Sequence, residues 1–377
     1  MVRTSHLLFV ALLATSILLP ARSQAETRGA STGAVLAMTN DVQHNAIITY
    51  MRNADGSLQQ SGTFLTGGRG SGGVTDPLGS QGSLTLSQDG TWLFAVNAGS
   101  GNLSVFRVQG SKLSLVQKIA CGGSAPISVA QHGSLVYVAN EGAASSVSGF
   151  YLESTGKLKS IAGSTRFLST GNSGASSISF SPDGQFLLVT EKLTNNIDAF
   201  HVQADGTLGP IKTNPSAGPG LFALLFAPNG TALAVETGPA GGTNASAISS
   251  YSILANGVLT PISTSVPTLA AATCWHAITP NGQFVFTSNA GSATISGFAI
   301  GATGSLTPLP GTVVGTNPAG STNLDIAISS DSKFLYTLDS GTGTVSIFAI
   351  NSDGTLNNLG DAGGLSAAAG FNGIAAY

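Results

Sequence analysis

Charged side chains are scarce in this chain of 377 residues, where Asp, Glu, Lys and Arg together make up 8%. A soluble domain ordinarily holds about 25%, and exposed helix faces are built largely from such residues. The 14 Lys and Arg residues form no cluster, and the formal net charge is −3. Because phosphate groups bind clustered cations, the composition gives no reason to expect nucleic acid as a partner.

Several other features are missing. The sequence contains no nucleophile elbow, His-Glu-x-x-His, P-loop or Cys-x-x-Cys motif. It has only two cysteines, Cys121 and Cys274, which the repeat described below separates widely, so we expect two free thiols. Glycine, in contrast, is abundant, with 50 residues, and a chain rich in Gly, Asn and Ser is typical of short strands joined by tight turns.

The N-terminus has the pattern of a secretory signal. Arg3 precedes an apolar run of about 13 residues, which is followed by the small residues Ser23 and Ala25. A membrane-spanning helix needs about 20 apolar residues, and no later segment meets that requirement. We therefore predict a signal peptide over 1–25, a secreted or periplasmic protein and one domain over 26–377, with an uncleaved anchor as the alternative.

Two turn signals recur along the chain. The first resembles Ser-Pro-Asp-Gly, precedes a β-rich run and occurs six times, at 87–90, 130–133, 181–184, 227–230, 279–282 and 329–332. The second follows a strand that ends near an aromatic residue and occurs seven times, with its glycines at Gly56, Gly110, Gly156, Gly206, Gly257, Gly304 and Gly354. Repeats of 40 to 50 residues that hold four short strands indicate propeller blades.

The unequal counts predict how the propeller closes. If the strands of a blade are A to D from the central channel outward, the two signals are the A–B and C–D turns. One blade then lacks a continuous A–B hairpin. Residues 34–66 would supply its strands B, C and D, and residues 372–377 its strand A, which removes an open sheet edge. The sequence thus predicts an all-β, seven-bladed propeller, rather than six or eight blades, two domains or an open solenoid.

We call the side that carries the B–C loops and D–A links the loop face, and the opposite side the turn face. Counting in register places a ring of polar residues at the loop-face end of strand B, namely Asn40, Asn97, Asn140, Glu191, Thr237, Asn289 and Asp339. Trp275 and Asp325 stand out at the start of strand A. We predict a ligand site at the channel mouth, formed by Asn40, Asn97, Asn140, Trp275, Asn289, Asp325 and Asp339. The alternative is that the Asn residues serve turn chemistry alone and that the acids are solvated.

Three further features bear on chemistry. The insertion 67–82 is nearly all small residues but carries Arg69 and Asp76, and it is either a lid with an anion-binding arginine or a flexible loop. His276 is the one histidine expected near the channel, which makes it the candidate general base, the alternative being a structural histidine. We expect Asp325 and Asp339 to lie close together, where they would share a proton or bind a cation.

The strand motifs 90–97, 135–140 and 181–191 resemble the lactonase family of seven-bladed propellers, which includes propeller-type 6-phosphogluconolactonases and carboxymuconate cyclases, and also Tyr-Val-Thr-Asn repeat proteins. The resemblance covers residues 33–377. It implies a site at the channel mouth that uses a His, an Arg and a Glu. The family's Gly-Pro-Arg-His motif is reduced here to Gly218-Pro219-Gly220-Leu221, so its phosphogluconolactone chemistry does not transfer residue by residue.

These observations predict an exported, monomeric hydrolase of a small lactone or cyclic ester, with a lactone or anionic small molecule as its ligand. Glu191, His276 and Arg69 are the candidate catalytic residues. No cofactor is expected, although a divalent cation is possible. The alternatives are a non-catalytic propeller that binds a carbohydrate or protein, a carboxymuconate-type cyclase and a calcium-dependent lactonase.

Overall fold

The computed structural model describes residues 1–2, 33–240 and 242–377, so the predicted signal peptide lies almost entirely outside the described residues. Within these ranges all regular structure is β, arranged as 29 strands in seven antiparallel sheets. No helix in them is long and apolar enough to cross a bilayer. The seven sheets are the blades of the predicted propeller.

Blades 1 to 3 follow the expected order along the chain. Blade 1 consists of β4 (Leu84–Leu86), β5 (Trp92–Asn97), β6 (Asn102–Gln109) and β7 (Lys112–Ala120). Blade 2 consists of β8 (Pro126–His132), β9 (Leu135–Asn140), β10 (Ser146–Leu152) and an outer strand split into β11 (Leu158–Ser160) and β12 (Arg166–Phe167). Blade 3 consists of β13 (Ala175–Phe180), β14 (Phe186–Glu191), β15 (Asn196–Val202) and β16 (Leu208–Pro215).

Blades 4 to 6 repeat this arrangement. Blade 4 consists of β17 (Leu221–Phe226), β18 (Ala232–Glu236), β19 (Ala247–Ile253) and β20 (Leu259–Pro267). Blade 5 consists of β21 (Thr273–Ile278), β22 (Phe284–Asn289), β23 (Thr294–Ile300) and β24 (Leu306–Thr316). Blade 6 consists of β25 (Asn323–Ile328), β26 (Phe334–Asp339), β27 (Thr344–Ile350) and β28 (Leu356–Ala362).

Blade 7 closes the ring by joining the two ends of the chain, as predicted. Its strands are β29 (Ile374–Ala376), β1 (Gly33–Met38), β2 (Ala46–Arg52) and β3 (Leu58–Leu65), in that order. The amide of Met38 donates to the carbonyl of Gly373 at 3.0 Å, and Ala34 and Tyr377 exchange hydrogen bonds. The innermost strand of this blade is therefore held by main-chain bonds between residues more than 300 positions apart.

The C–D turns explain why the repeat can be recognised in the sequence. All seven turn glycines have positive φ, between 57° and 89°, a region that residues with a Cβ rarely adopt. The aromatic residue before each turn is almost fully buried, and these residues are Tyr50, Phe106, Phe150, Phe200, Tyr251, Phe298 and Phe348. Each blade thus contributes one aromatic anchor to the interior, which fixes the blade count. Cys121 and Cys274 are both free thiols.

Replacing Ala375 with Pro should destabilise the closed ring. Ala375 pairs with Leu36, and the alternation of the antiparallel ladder makes this a hydrogen-bonded pair, so proline removes a bond in an innermost strand. We expect the free energy of unfolding to fall by at least about 2 kcal/mol, measured by chemical denaturation. The control is Ala367→Pro in an exposed turn. Equal stability of the two variants would show that β29 does not hold the ring together.

Candidate functional site

The channel is lined by main-chain edges. The strands β4, β8, β13, β17, β21, β25 and β29 each stand at the end of their sheet, and they neighbour one another around the ring. One edge of each strand therefore lacks a partner strand, so its N–H and C=O groups face the channel. Most side chains of these strands, such as those of Trp275 and His276, are instead buried between the blades.

The inner end of the 67–82 insertion fills the channel. We call residues 78–82 the plug. The Gln81 amide donates to the carbonyl of Ser176 on blade 3 at 2.9 Å. Its side-chain Nε2 donates to the carbonyl of His276 on blade 5 at 2.6 Å, and its carbonyl accepts from Ser128 Oγ on blade 2 at 2.6 Å. The insertion is therefore built into the channel by hydrogen bonds to three blades, rather than lying over its mouth as a lid.

Trp275, a predicted ligand-binding residue, also holds the plug. Its indole Nε1 donates to the carbonyl of Ser80 at 2.9 Å, and its ring packs edge-on against Phe222 with centroids 5.2 Å apart. Ser80 Oγ in turn donates to the carbonyl of Ile127 at 2.8 Å. Because Trp275 is only 1% exposed, it positions the plug from within the protein.

Charged groups from separate blades meet beside the plug on the loop face. The Lys192 ammonium lies 2.8 Å from the Glu141 carboxylate and donates to the carbonyl of Gly79 at 3.0 Å. The Gly79 amide donates to Asp76 Oδ1 at 3.0 Å, which also accepts from Asn372 Nδ2 at 2.9 Å. Glu141, Lys192, Asp76 and Asn372 thus form one connected group, which we call the mouth cluster.

The electrostatics of this region are set by burial. Burial raises the pKa of Asp76 to about 6, against the opposing effects of the Asn372 hydrogen bond and the Lys192 charge. Burial also raises the pKa of Asp325 to about 8, and the nearby Asp76 charge adds to this. The pKa of the Cys274 thiol is raised by burial and then by Asp76. At neutral pH the partly exposed Asp76 is therefore mainly ionised, whereas Asp325 is mainly protonated and Cys274 is a thiol.

The ring of residues at the ends of strands B forms anchors between blades. Asn97 Oδ1 accepts from Thr66 Oγ1 at 2.6 Å, on the link from the preceding blade, and its Nδ2 donates to Ser104 on strand C at 2.8 Å. Asn289 accepts from Thr273 at 2.6 Å and donates to Ser296 at 2.9 Å. The polar atoms of these two side chains are already hydrogen-bonded within the protein. This favours a structural role for Asn97 and Asn289 over the predicted ligand binding.

Two asparagines of the ring differ from this scheme. Asn40 has a positive φ of 51°, its Nδ2 donates to Ser71 Oγ at 3.0 Å, and its Oδ1 accepts from the Ser71 amide at 3.0 Å, so it holds the start of the insertion. Asn140 is fully buried, and within the part of the chain that the structure describes neither polar atom of its side-chain amide has a hydrogen-bond partner. Asn97 is bonded by Thr66, which follows strand D of the preceding blade. At the corresponding position before Asn140 the residue is Cys121, and its thiol donates to the Gly123 carbonyl instead.

Glu191 is fully buried and shares a proton with a second acid. Ser169 donates to it from both its amide, at 2.8 Å, and its hydroxyl. Burial and the adjacent Glu191 carboxylate raise the pKa of Asp198 to about 7. Although burial opposes it, hydrogen bonds from Asp198, Ser169 and Thr194 hold the pKa of Glu191 below its ordinary value. At mildly acidic pH the pair therefore carries one proton, which Asp198 holds and donates to Glu191, and this proton is lost as the pH rises through about 7.

Blades 4 and 6 contain related anchors. Glu236, not the expected Thr237, ends strand B of blade 4, because β18 is one residue shorter than its counterparts. Its carboxylate accepts from the Gly218 amide and from the hydroxyls of Ser249 and Ser265, at 2.7 to 2.9 Å. A count that allowed strand B to vary in length would have found Glu236, which lines a cavity of about 240 Å³.

Asp339 does not pair with Asp325 as expected. It accepts from Asn317 Nδ2 at 3.0 Å and from Ser346, and burial raises its pKa to about 7. Asp325 Oδ1 accepts from the Ile326 amide instead. In the described part of the chain no hydrogen bond joins the two acids, because Asp339 bonds Asn317 on a D–A link, whereas Asp325 bonds the main chain of its own strand.

The three predicted catalytic residues are not assembled into one site. His276 is fully buried, its ring nitrogens have no hydrogen-bond partner among the described residues, and burial lowers its pKa to about 3 although the Leu233 backbone partly opposes this. Arg69 is exposed and is held through its main chain to Gly99 and Ser100. Among the described residues no hydrogen bond or ion pair joins His276, Arg69 and Glu191, so their catalytic role stays a prediction that the geometry does not favour.

Replacing Asp198 with Asn should flatten the pH dependence of stability. The pKa of Asp198 is about 7 in the folded protein, above its ordinary 3.8, so its proton stabilises the fold at low pH. That contribution declines as the pH rises from about 4 to about 7. An amide keeps a hydrogen on this side chain at every pH. Between pH 5 and pH 8 we expect wild type to lose about 2 kcal/mol more than Asp198→Asn, measured by denaturant unfolding.

The control for this experiment is Asp183→Asn. Asp183 is an exposed turn residue whose hydrogen bond from Ser181 lowers its pKa, so its substitution should leave the slope between pH 5 and 8 unchanged. A wild-type slope in Asp198→Asn would mean that the two acids do not share a proton.

The sequence matches the family described as "Lactonase, 7-bladed beta-propeller" over residues 31–168, 131–238 and 224–358. No curated protein matches the chain. Among solved structures, a putative 6-phosphogluconolactonase from Bacteroides uniformis is similar with a TM-score of 0.67 and 19% identity, covering 91% of this chain and 98% of the other.

Two other solved structures are comparable. A putative 6-phosphogluconolactonase from Bacteroides fragilis has a TM-score of 0.64 and 18% identity, with 93% and 99% of the two chains covered. A periplasmic gluconolactonase from Pseudomonas aeruginosa has a TM-score of 0.64 and 18% identity, with 90% and 99% covered. At identities this low, similarity to solved structures shows the fold alone. The match to the family, however, spans most of the sequence. The chain therefore belongs to the lactonase family of seven-bladed β-propellers.

Proposed function

We propose that this protein hydrolyses a small lactone at the loop-face mouth of its channel, with Asp76 as general base and Lys192 as the group that binds the developing oxyanion. The observation that carries this proposal is the mouth cluster, in which Gly79 connects a partly exposed carboxylate to an ammonium group. Family membership supports a lactone as the substrate class. The fully buried Glu191 and His276 are less suited, because a substrate cannot reach them.

The reaction needs one proton carrier and one cation. Ionised Asp76 takes a proton from water while the water oxygen attacks the lactone carbonyl carbon. Lys192 donates a hydrogen bond to the resulting oxyanion. The ring C–O bond then breaks, and Asp76 returns its proton to the leaving alkoxide, which gives a hydroxy acid. A carboxylate with a pKa near 6 is a stronger base than an ordinary aspartate, and it is still ionised at neutral pH.

The neighbouring groups tune these two residues. Asn372 Nδ2 holds one oxygen of Asp76, which leaves the other for water. Glu141 holds Lys192 beside the plug, so the ammonium is fixed rather than free to rotate. We also propose that the protein is exported, which the signal pattern supports, and the Pseudomonas aeruginosa relative in fold is described as periplasmic.

Asp76→Asn should lower kcat/KM for a hydrolysed lactone by at least about 100-fold, and Lys192→Met by about 100-fold. Asparagine keeps the oxygen that accepts from Gly79 and Asn372 but cannot take a proton. In wild type the rate should rise with pH through about 6, as Asp76 ionises. The measurement is the rate of acid release across a lactone panel, with and without EDTA.

The matched controls lie on the same face, away from the mouth cluster. Asp41 is exposed and accepts from the amides of Gln43 and His44, and Lys118 donates to the Gly67 carbonyl. Asp41→Asn and Lys118→Met should retain wild-type rates. Wild-type activity in Asp76→Asn would rule out the proposed base, and activity abolished by EDTA would indicate a metal-dependent lactonase. A lack of turnover on every lactone would favour a binding propeller or a cyclase.

A further inference from the structure

A second cavity, of about 400 Å³, opens on the turn face. Its wall is formed by the inner strands of blades 1 to 5, and its inner end is formed by Gln81 and Gly82 of the plug. It is therefore the half of the channel that the plug leaves unfilled. The volume lies within the usual range of small-molecule pockets, roughly 300–1,000 Å³.

The chemistry of the wall is uncharged. None of the residues that line the cavity is Asp, Glu, Lys or Arg. Leu225, Phe226 and Ile278 are half-buried hydrophobic residues whose remaining exposed area borders it, and Ser179 adds a half-exposed hydroxyl. The one titratable group, His132, already bonds the Pro182 carbonyl through Nε2 at 3.1 Å.

The main-chain edges add polar groups to this wall. In the plugged half, the plug bonds the free edges of β8, β13 and β21. In the turn-face half the same strands continue past the plug, and each still lacks a partner strand. Some edge groups on this wall are already bonded, since the Val129 carbonyl accepts from Thr85 Oγ1 and the Ile178 amide donates to Ser128 Oγ. The other N–H and C=O groups need hydrogen bonds from whatever occupies the space. The site thus offers apolar patches together with neutral donors and acceptors.

We propose that this turn-face cavity binds a neutral sugar of about monosaccharide size. A sugar ring has apolar C–H faces for Phe226 and Leu225, and hydroxyl groups for Ser179 and the strand edges. A charged ligand would lose its hydration without gaining a partner of opposite charge, which is costly. The site stands apart from the mouth cluster, because the plug separates the two halves of the channel.

Ligand-observed NMR and calorimetric titration of the full chain test this proposal. The probes are glucose, galactose and mannose, with gluconate and glucose 6-phosphate as charged counterparts. We expect saturable binding of at least one neutral sugar and at least 10-fold weaker binding of the matching charged compound. Ser179→Trp, which fills the cavity, should weaken sugar binding at least 10-fold. Gln185→Trp is the control, since Gln185 is exposed on the same blade and does not line the cavity.

Three results would overturn the proposal: no saturable binding of any neutral sugar to wild type, equal or tighter binding of the charged compounds, or unchanged affinity in a folded Ser179→Trp variant. Thermal unfolding of both tryptophan variants establishes that they are folded. If Ser179→Trp does not fold, chemical-shift changes on titrating wild type decide the question. They should fall on residues 177–182 and 225–228, and changes confined to the mouth cluster would contradict the site.

Discussion

Seven inner strands that meet around an axis leave seven main-chain edges without partner strands, and the rest of this structure depends on how those edges are satisfied. Gln81 provides the main solution, because its main chain bonds the inner strand edge of blade 3 and its side chain bonds that of blade 5. A segment of small residues can approach strand edges that closely, whereas bulky side chains would hold it away. The plug divides the channel, and it sets Asp76 beside Lys192.

The same requirement explains the polar residues at the ends of strands B. Each D–A link must cross from one blade to the next, and a side chain that bonds both the link and strand C fixes that crossing. Asn97 does this without charge, whereas Glu191 needs the proton of Asp198 to avoid two adjacent negative charges. An amide and an acid pair therefore serve the same structural purpose, but only the acid pair makes stability depend on pH.

The fold was predictable because its signals are local and repeated. A turn that needs positive φ selects glycine, and a buried anchor selects an aromatic residue. The sequence alone therefore indicates that Gly56 lies in a turn and that Tyr50 is a buried anchor. Side-chain direction was not predictable in this way. Register placed His276 next to the channel, but an inner strand presents its edge to the axis and buries most of its side chains between the blades.

The parts of the site that sequence reasoning missed have weaker signals. The plug comes from a Gly- and Ser-rich stretch without periodicity, so its course through the channel follows only from long-range hydrogen bonds. Asp76 was noted as part of that stretch, but its proximity to Lys192 depends on where the plug lies. Glu236 was displaced by one position because β18 is shorter than its counterparts, and a fixed count cannot allow for that.

The few acids of this chain fall into two groups, and the division indicates where proton transfer can occur. Acids in exposed turns accept hydrogen bonds from nearby hydroxyl or amide groups that lower their pKa, as in Asp55, Asp89, Asp183, Asp205 and Asp353. Buried acids such as Asp198 and Asp339 have raised pKa values, but their oxygens are committed to anchors. Among the described acids whose pKa is raised, only Asp76 is also partly exposed and next to an ammonium group. A base that must exchange protons with solvent and substrate needs all three, which is why the chemistry is assigned to the insertion rather than to the ring of strand ends.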